Sequence, residues 1–312
     1  MDKSCKAAIF SLEGTDISAK EARLFQDTRP YGFILFKRNI DNPDQVRRLR
    51  KRLQECVGFA CPILIDQEGG RVQRMGPPHW QSYPSAQHFG SLFEDNKLGA
   101  SDAEDALEIN SLVMVGDLDD VGITVNCTPV LDLRYPGTHD AIGDRAYSSD
   151  PEIVTRAGDV VCKAYLDSDL IPVIKHLPGQ GRAQQDSHEI LPVVDASVDE
   201  LQVDMKPFKA LSQKYGQLIW GMVAHILYPV WDSELPATLS PTIIHDVIRK
   251  EIGFKGVLVS DDLSMGALEK WGTIPERAQK TLEAGCDLAL YCAGKIEEMQ
   301  ALSEILPVFE QQ

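Results

Sequence analysis

The chain has 312 residues, of which 43% are hydrophobic and 25% charged, so it is long enough to bury a core and is neither disordered nor collagen-like. Its 31 basic and 47 acidic residues give a formal net charge of -16, which repels the phosphates of nucleic acids and of anionic lipid surfaces. We therefore expect neither a nucleic acid nor a membrane as partner.

The N-terminal segment and the cysteines predict where the protein works. The apolar run at residues 7–10 is too short for the core of a signal peptide, and no apolar stretch of membrane-spanning length follows, which predicts a cytoplasmic protein. The seven cysteines are odd in number, scattered and without a CxxC pair, so we expect reduced and mostly buried thiols.

Short apolar runs rich in β-branched residues alternate with stretches of helix-like composition along the whole chain. Eight such runs occur, at residues 7–12, 32–36, 62–65, 123–131, 171–174, 218–223, 256–259 and 287–291. Eightfold alternation without a long linker favours a closed barrel over a doubly wound sheet, because closure removes both exposed edges. The sequence thus predicts an α/β fold, a single-domain (β/α)8 TIM-type barrel over residues 1–312.

Helix and loop signals lie between the strands. Residues 44–56 are basic and amphipathic, and Ser101 with Glu104 has the spacing of a capping box ahead of an apolar helix face. Two connections, residues 76–97 and 178–200, are longer than usual, and long loops often carry function.

In a barrel of this kind the active site lies at the C-terminal ends of the strands, so the polar residues after each apolar run are the candidates. They are Asp66 to Arg71 after the third run, Lys175 and His176 after the fifth, His225 after the sixth, and Ser260 to Asp262 after the seventh. Asp261 stands where a carboxylate can attack a substrate carbon, or where an Asp caps the next helix, for which Asp262 or Ser264 is better placed. Position alone leaves both roles open.

The loop after the fifth run is dense in chargeable residues. Asp186 and His188 are spaced so that the carboxylate can lie beside the imidazole and fix its tautomer. An isolated Asp-x-His pair is more often a surface hydrogen bond, but the composition of this loop favours proton transfer. Lys175 at a barrel mouth costs free energy unless it meets an anion or ligand oxygens, which favours a ligand contact.

Residues after the third run suggest how a ligand is held. Asp66 is followed by two glycines that allow close backbone approach and by Arg74, and neutral sugars are bound by such carboxylates and cationic donors. The alternative is an ion pair between strand ends, and Arg145 has a weaker claim from spacing alone. No HxH, HExxH or paired-cysteine spacing occurs, and no GxGxxG opens an early helix, so we predict neither a metal nor a nucleotide cofactor.

Several motifs occur together in a characteristic order. They are ILFKRN (residues 34–39), LIDQEGGRVQRM (64–75), IGDRAYS (142–148), KHLPGQG (175–181) with DSH (186–188), MVAHILYP (222–229), PATLSP (236–241) and GFKGVLVSDDLSM (253–265). On these motifs the chain resembles, over nearly its whole length, the glycoside hydrolase family 3 β-N-acetylhexosaminidases, most closely the bacterial β-N-acetylglucosaminidases of cell-wall recycling.

The resemblance implies a barrel fold, a retaining glycosidase without a cofactor, and a substrate with N-acetylglucosamine (GlcNAc) linked to 1,6-anhydro-N-acetylmuramic acid (1,6-anhydro-MurNAc), with or without peptide. It implies that Asp261 is the nucleophile and that His188 is the general acid/base with Asp186 as its partner. It implies a further set of residues that hold the sugar ring: Asp66, Arg74, Arg145, Lys175 and His176. The family usually has a histidine between the two glycines of the loop, whereas this chain has Gln180, which predicts different hydrogen bonding within the loop.

Two other functions are compatible with parts of this pattern. A family 3 β-glucosidase would usually carry a second α/β domain that supplies the acid, and this chain ends soon after the eighth run. A sugar-binding barrel without catalysis would keep Asp66 and Lys175 but need not keep Asp261, Asp186 and His188 together. The sequence leaves the oligomeric state open.

Overall fold

The computed structural model describes residues 4–95 and 99–309, and within them eight parallel strands form a barrel. The strands are β1 Lys6–Phe10, β2 Pro30–Leu35, β3 Ile63–Ile65, β4 Val125–Asn126, β5 Ile171–Leu177, β6 Trp220–Val223, β7 Leu258–Ser260 and β8 Ala289–Tyr291. Their spatial order is β7-β6-β5-β4-β3-β2-β1-β8, and a parallel bridge from Val259 to Leu288 joins the two end strands. The predicted α/β barrel is confirmed.

Helices surround this barrel. They are α1 Ala19–Thr28, α2 Pro43–Val57, α3 Ala86–Glu94, α4 Ala100–Val121, α5 Pro151–Leu166, α6 Val198–Tyr215, a π-helix at Ile243–Glu251, α7 Ile274–Ala284 and α8 Ile296–Ile305. Local chemistry sets their ends, as in α2, where the Asn42 side chain accepts a hydrogen bond from Gln45 N–H and Gly58 ends the helix with φ +78°. The helix predicted over residues 44–56 is confirmed.

The capping box predicted at Ser101 and Glu104 is wrong. Helix α4 has Gly99 as its N-cap, and the Gly99 N–H donates to Asp102 Oδ2 at 3.1 Å, so Ser101 and Glu104 form no capping box. Glu104 instead pairs with Arg156 at 2.8 Å. Only Ser101 with Glu104 has the full capping spacing, yet Ser101 lies inside the helix and the side chain of Glu104 is used in the contact with α5.

The connection predicted over residues 76–97 is not structureless, because it contains α3, although residues 96 and 97 lie outside the described residues. Helix α3 packs closely on the segment before α5, since a Cβ on Gly90 would lie 1.6 Å from the Tyr147 carbonyl oxygen. The helix is short, which made its apolar pattern difficult to distinguish from that of a loop.

Two apolar layers support the site. Inside the barrel, residues from successive strands form a buried cluster that includes Ile34, Leu64, Val173, Met222 and Leu290. A second cluster lies between the strands and the surrounding helices. The filled interior leaves the C-terminal ends of the strands as the place where polar side chains can converge.

Strand β5 is longer than predicted and runs to Leu177, so Lys175 and His176 lie within the strand and not after it. All seven cysteines are free thiols, five of them buried. Among the helices of the described ranges, none has the length and hydropathy needed to cross a membrane.

Candidate active site

A cavity of about 300 Å³ opens at the C-terminal ends of the strands. Its walls contain all eight residues to which the family resemblance gives a role: Asp66, Arg74, Arg145, Lys175, His176, Asp186, His188 and Asp261. His225 and Ser260, also candidates by their place after a strand, are not among the described residues that line it. Residues separated by up to 195 positions in the sequence therefore meet in one place, as the barrel prediction requires.

A chain of alternating charges crosses one side of the cavity. Lys175 Nζ lies 3.0 Å from Asp66 Oδ1 and 2.6 Å from Glu68 Oε1, and Arg145 forms two hydrogen bonds of 2.8 Å with the Glu68 carboxylate. Arg74 Nη2 donates to Asp66 Oδ2 at 3.0 Å. The ion pair between strand ends, the alternative for Asp66 and Lys175, is present in the structure, and both residues also line the cavity.

Burial and pairing act against each other in this network. Burial raises the pKa of Asp66, but Lys175 and Arg74 outweigh it and the pKa is lowered. Glu68, opposed in the same way by burial, has a pKa of about 2 because of Arg145 and Lys175. Burial lowers the pKa of Lys175, while the two carboxylates raise it above its ordinary value. The network therefore stays ionised and rigid at neutral pH.

The turn after β3 brings Asp66 and Glu68 to the cavity. Gly69 has φ +92°, and a Cβ there would lie 2.3 Å from the Pro84 carbonyl oxygen, while a Cβ on Gly70 would lie 2.8 Å from Ser85 Cβ. Only glycine permits this close packing. The two glycines thus serve close packing against residues 84 and 85, and the approach of a ligand to their backbone stays a prediction.

His176 has a carboxylate partner that the sequence analysis missed. Its Nδ1 lies 2.7 Å from Asp132 Oδ2, and Asp132 Oδ1 accepts a hydrogen bond from the Gln180 N–H at 2.6 Å. Asp132 is buried and comes directly after the fourth apolar run, so the rule that selected the other strand ends would also have found it. The contact holds the His176 ring in one orientation, and Nε2 has no hydrogen-bond partner among the described residues.

The two aspartates of the turn after β7 have different hydrogen bonds. Asp262 accepts hydrogen bonds from Ser264 N–H at 3.0 Å and from Cys292 N–H at 3.1 Å, so its carboxylate holds the turn itself. It does not cap the next helix, because the 3-10 segment Gly266–Trp271 begins after Met265 without a side-chain cap. Within the described part of the chain the Asp261 carboxylate accepts one hydrogen bond, from Asp262 N–H at 2.8 Å. Burial raises the pKa of Asp261, but the imidazoles of His225 and His176 and this N–H lower it overall. Asp261 is therefore an ionised carboxylate at the cavity wall.

The loop after β5 carries the aspartate–histidine pair. His188 Nδ1 lies 2.7 Å from Asp186 Oδ1, which also accepts the His188 backbone N–H at 2.9 Å. The His188 side chain is 67% exposed, so its Nε2 edge is accessible from the cavity mouth. Backbone N–H groups of Gly266 and Ala267 donate to the carbonyls of His188 and Ser187 at 3.0 and 3.2 Å, and these bonds dock the loop on the segment that follows Asp261.

Gln180 joins the base of this loop to its tip. Its side chain is buried, and its Nε2 lies 3.5 Å from Oγ of Ser187, the residue between Asp186 and His188. Its Oε1 has no hydrogen-bond partner among the described residues. The departure from the family motif thus lies inside the loop and does not remove His188 or Asp186 from the cavity.

Phe36 was also missed by the sequence analysis. It follows β2 and lines the cavity, and the guanidinium groups of Arg38 and Arg74 lie 4.8 and 5.2 Å from its ring centroid. An aromatic ring held in this way offers an apolar surface to the C–H groups of a sugar. Within residues 4–95 and 99–309, no group of three or more His, Cys, Asp or Glu side chains is arranged to hold a metal ion.

Comparisons with known proteins agree with this geometry. Residues 7–310 match the glycosyl hydrolase family 3 N-terminal domain. A β-hexosaminidase of Thioalkalivibrio sulfidiphilus is 34% identical over 284 residues, which cover 91% of this chain and 80% of that protein. A β-hexosaminidase of Neisseria gonorrhoeae is 36% identical over 277 residues, covering 88% of this chain and 75% of that protein.

The solved structures give the same result. NagZ from Neisseria gonorrhoeae, in complex with N-trifluoroacetyl-D-glucosamine, superposes with a TM-score of 0.88 at 32% identity over 99% of this chain and 87% of that chain. The same NagZ has been solved in complex with a zinc ion. The chain belongs to glycosyl hydrolase family 3 and is a glycoside hydrolase. The resemblance read from the sequence motifs is confirmed.

Proposed function

We propose that this chain is a retaining β-N-acetylhexosaminidase that removes non-reducing terminal GlcNAc from peptidoglycan fragments such as GlcNAc-1,6-anhydro-MurNAc, with or without peptide. The observation that carries the proposal is the meeting of Asp261 with the Asp186–His188 pair in one cavity beside the charge network. A sugar-binding barrel would need the network alone. The names of the relatives and the amino-sugar analogue bound to gonococcal NagZ favour GlcNAc over glucose.

In the first step the Asp261 carboxylate attacks C1 of the sugar, and the bond from C1 to the leaving oxygen breaks. His188 donates its Nε2 proton to that oxygen, while Asp186 holds Nδ1 and supports the protonated ring. Histidine starts from a pKa of about 6.5 and so needs less adjustment for this role than a carboxylic acid does.

In the second step water attacks C1 of the glycosyl-enzyme. His188 takes a proton from the water, the ester bond to Asp261 breaks, and the sugar leaves with its original β configuration. Two displacements at one carbon thus account for retention.

The remaining residues hold the sugar. Lys175 has three N–H donors, and among the described residues two are used by Asp66 and Glu68, which leaves one for a ligand hydroxyl. His176 offers Nε2, and Arg74 and Arg145 offer guanidinium donors from opposite ends of the network. We propose that one barrel domain supplies every group, since the nucleophile, the acid/base and the sugar-binding residues all come from strand β5 and from the segments that follow β3, β4, β5 and β7.

The substrate class is tested with p-nitrophenyl glycosides. We expect the β-N-acetylglucosaminide to be cleaved with kcat/KM at least about 100-fold above that of the β-glucoside, because a hydrogen-bonded N-acetyl group discriminates strongly. Preference for the glucoside would favour a β-glucosidase, and cleavage of neither would favour a sugar-binding barrel.

The natural substrate and the stereochemistry need separate assays. Hydrolysis of GlcNAc-1,6-anhydro-MurNAc, followed by chromatography, tests the peptidoglycan fragment directly. Proton NMR during the first turnovers should show β-GlcNAc before the α-anomer, and initial release of the α-anomer would contradict the covalent mechanism. The cytoplasmic location stays a prediction.

A further inference from the structure

Two sequence motifs have no part in the mechanism proposed above. MVAHILYP and PATLSP each place one polar side chain next to the turn that carries Asp261, namely His225 after β6 and Thr238 in a short 3-10 segment. Both side chains are fully buried, with 0% exposure. Burial of polar groups without a role is costly, so their hydrogen bonds should show what they do.

His225 binds the backbone next to the nucleophile. Its Nε2 lies 3.0 Å from the carbonyl oxygen of Asp262, and its Nδ1 lies 2.7 Å from Thr238 Oγ1. A carbonyl oxygen can only accept a hydrogen bond, so Nε2 must carry a proton. The ring therefore donates to the Asp262 carbonyl group.

Thr238 orients the ring. Its Oγ1 also lies 2.8 Å from the carbonyl oxygen of Ala224, at the end of β6. Burial lowers the pKa of His225, and the neighbouring Asp261 carboxylate opposes this effect. The Thr238 hydroxyl donates to the Ala224 carbonyl group and its oxygen contacts Nδ1 of His225, so Thr238 ties the ring to the end of β6.

These contacts hold the Asp261 turn from both sides. The Asp261 N–H donates to the carbonyl oxygen of Val223 at 3.2 Å, which ties the start of the turn to β6. The Asp262 carbonyl is tied to the same strand through His225. Neither His225 nor Thr238 is among the described residues that line the cavity, so they act on the sugar only through Asp261.

We propose that His225 and Thr238 are positioning residues that hold the Asp261 carboxylate in line with C1 of the sugar. This inference rests on the proposed role of Asp261 as nucleophile. A small rotation of the backbone from Asp261 to Asp262 would move the carboxylate oxygen away from the attack distance, and a misplacement of about 1 Å can cost on the order of 100-fold in rate.

The test isolates the attack by Asp261 from proton transfer. A fluorinated glycosyl fluoride that retains the N-acetyl group traps the covalent intermediate, and fluoride leaves with little help from a proton donor. The rate constant of trapping is measured together with the inhibition constant of free GlcNAc, which reports the sugar-binding residues. Mass mapping of the label in the unmodified enzyme tests the nucleophile itself.

We expect His225→Leu to slow trapping by about 10- to 100-fold while the inhibition constant of GlcNAc changes by less than about twofold. His225→Gln should recover part of the rate, since its amide N–H can donate to the Asp262 carbonyl. Thr238→Val, which keeps the shape without the hydroxyl, should slow trapping, and Thr238→Ser should not. If the His225 variants do not fold, the comparison of Thr238→Val with Thr238→Ser is sufficient to test the proposal.

Unchanged trapping in Thr238→Val and His225→Leu would overturn the inference and leave the mechanism intact. A parallel loss of GlcNAc affinity would also overturn it, because it would indicate general damage to the cavity. A label on a residue other than Asp261 in the unmodified enzyme would overturn the nucleophile assignment and this inference with it.

Discussion

The backbone N–H of Gly266 donates a hydrogen bond to the carbonyl oxygen of His188 at 3.0 Å. This bond joins the loop that carries the proposed acid/base to the segment that follows the proposed nucleophile. The two halves of the mechanism are therefore connected through the backbone, outside the cavity. The contact is thus a direct place to test whether the position of the loop matters for catalysis.

Gly266→Ala should displace the loop. A Cβ at residue 266 would lie 2.4 Å from the Glu189 carbonyl oxygen and 2.9 Å from that of His188, so the backbone has to move. We expect kcat/KM on an unactivated disaccharide to fall by about 10- to 100-fold, with a smaller loss on a dinitrophenyl glycoside, whose leaving group needs no proton. Gly14→Ala is the matched control, because a Cβ there meets nothing within 4 Å. Equal losses on both substrates would contradict this role of the contact.

Glu68→Gln should destabilise the protein at neutral pH. The change removes the carboxylate that pairs with both Arg145 and Lys175 and leaves Lys175 with Asp66 alone among the described residues, so we expect the free energy of unfolding to fall by about 3–5 kcal/mol at pH 7. The native pKa of Glu68 is about 2, below the ordinary value of 4.5. Its stabilising effect is therefore present above about pH 4.5 and is lost as the pH falls toward 2.

Urea unfolding of Glu68→Gln and of the unmodified protein between pH 7 and pH 3 measures the difference in their free energies of unfolding. This difference should become smaller below about pH 5. Glu55→Gln is the control, because Glu55 is an exposed residue 3.8 Å from Lys51, and its replacement should change stability by less than about 0.5 kcal/mol. A small difference in the free energy of unfolding between Glu68→Gln and the parent at pH 7 would show that the network contributes little to stability. A difference that stays constant with pH would show that the charge of Glu68 is not its cause.

The two proposed reacting groups should differ in their dependence on the leaving group. His188→Ala is expected to lower kcat/KM by about 10²- to 10⁴-fold on a substrate with a poor leaving group and far less on a dinitrophenyl glycoside. Asp261→Ala should lose activity on both, because no other residue forms the bond to C1. A series of aryl glycosides of increasing acidity measures the two responses. If His188→Ala lowers kcat/KM by the same factor on every member of the series, His188 is not the acid.

We expect treatment with EDTA to leave turnover unchanged. Among the side chains of the described residues no group of potential ligands is arranged for a metal ion, and the mechanism assigns the proton steps to His188. Activity is measured before and after chelation, with metal content checked by elemental analysis. A loss of activity that added zinc restores would contradict this expectation.

The sequence predicted what depends on periodicity and on strand ends. The barrel followed from eight apolar runs, and the strand-end rule selected Asp66, Lys175, His176 and Asp261 because parallel strands present their C-terminal ends on one face. The start of α4 was not predictable, since the pair with the capping spacing lies inside the helix and one of its side chains contacts α5 instead.

The sequence analysis mainly missed contacts between side chains from different parts of the barrel. Glu68 lies in a motif that was recognised, but its contacts with Lys175 and Arg145 join residues 107 and 77 positions away, and no local pattern encodes such a distance. Asp132 could have been found, because it follows an apolar run as the other candidates do. Phe36 lies in the motif ILFKRN and at the end of the second apolar run, but an apolar side chain there indicates a strand residue.

The most direct test of the account is a crystal structure of an inactive variant, such as Asp261→Asn, with an intact GlcNAc-containing disaccharide in the cavity. We predict that the side chain of residue 261 lies about 3–3.5 Å from C1 on the face opposite the leaving group, and that His188 Nε2 lies within hydrogen-bond distance of the glycosidic oxygen. A sugar bound with residue 261 directed away from C1, or with no loop position that brings His188 to that oxygen, would contradict the mechanism.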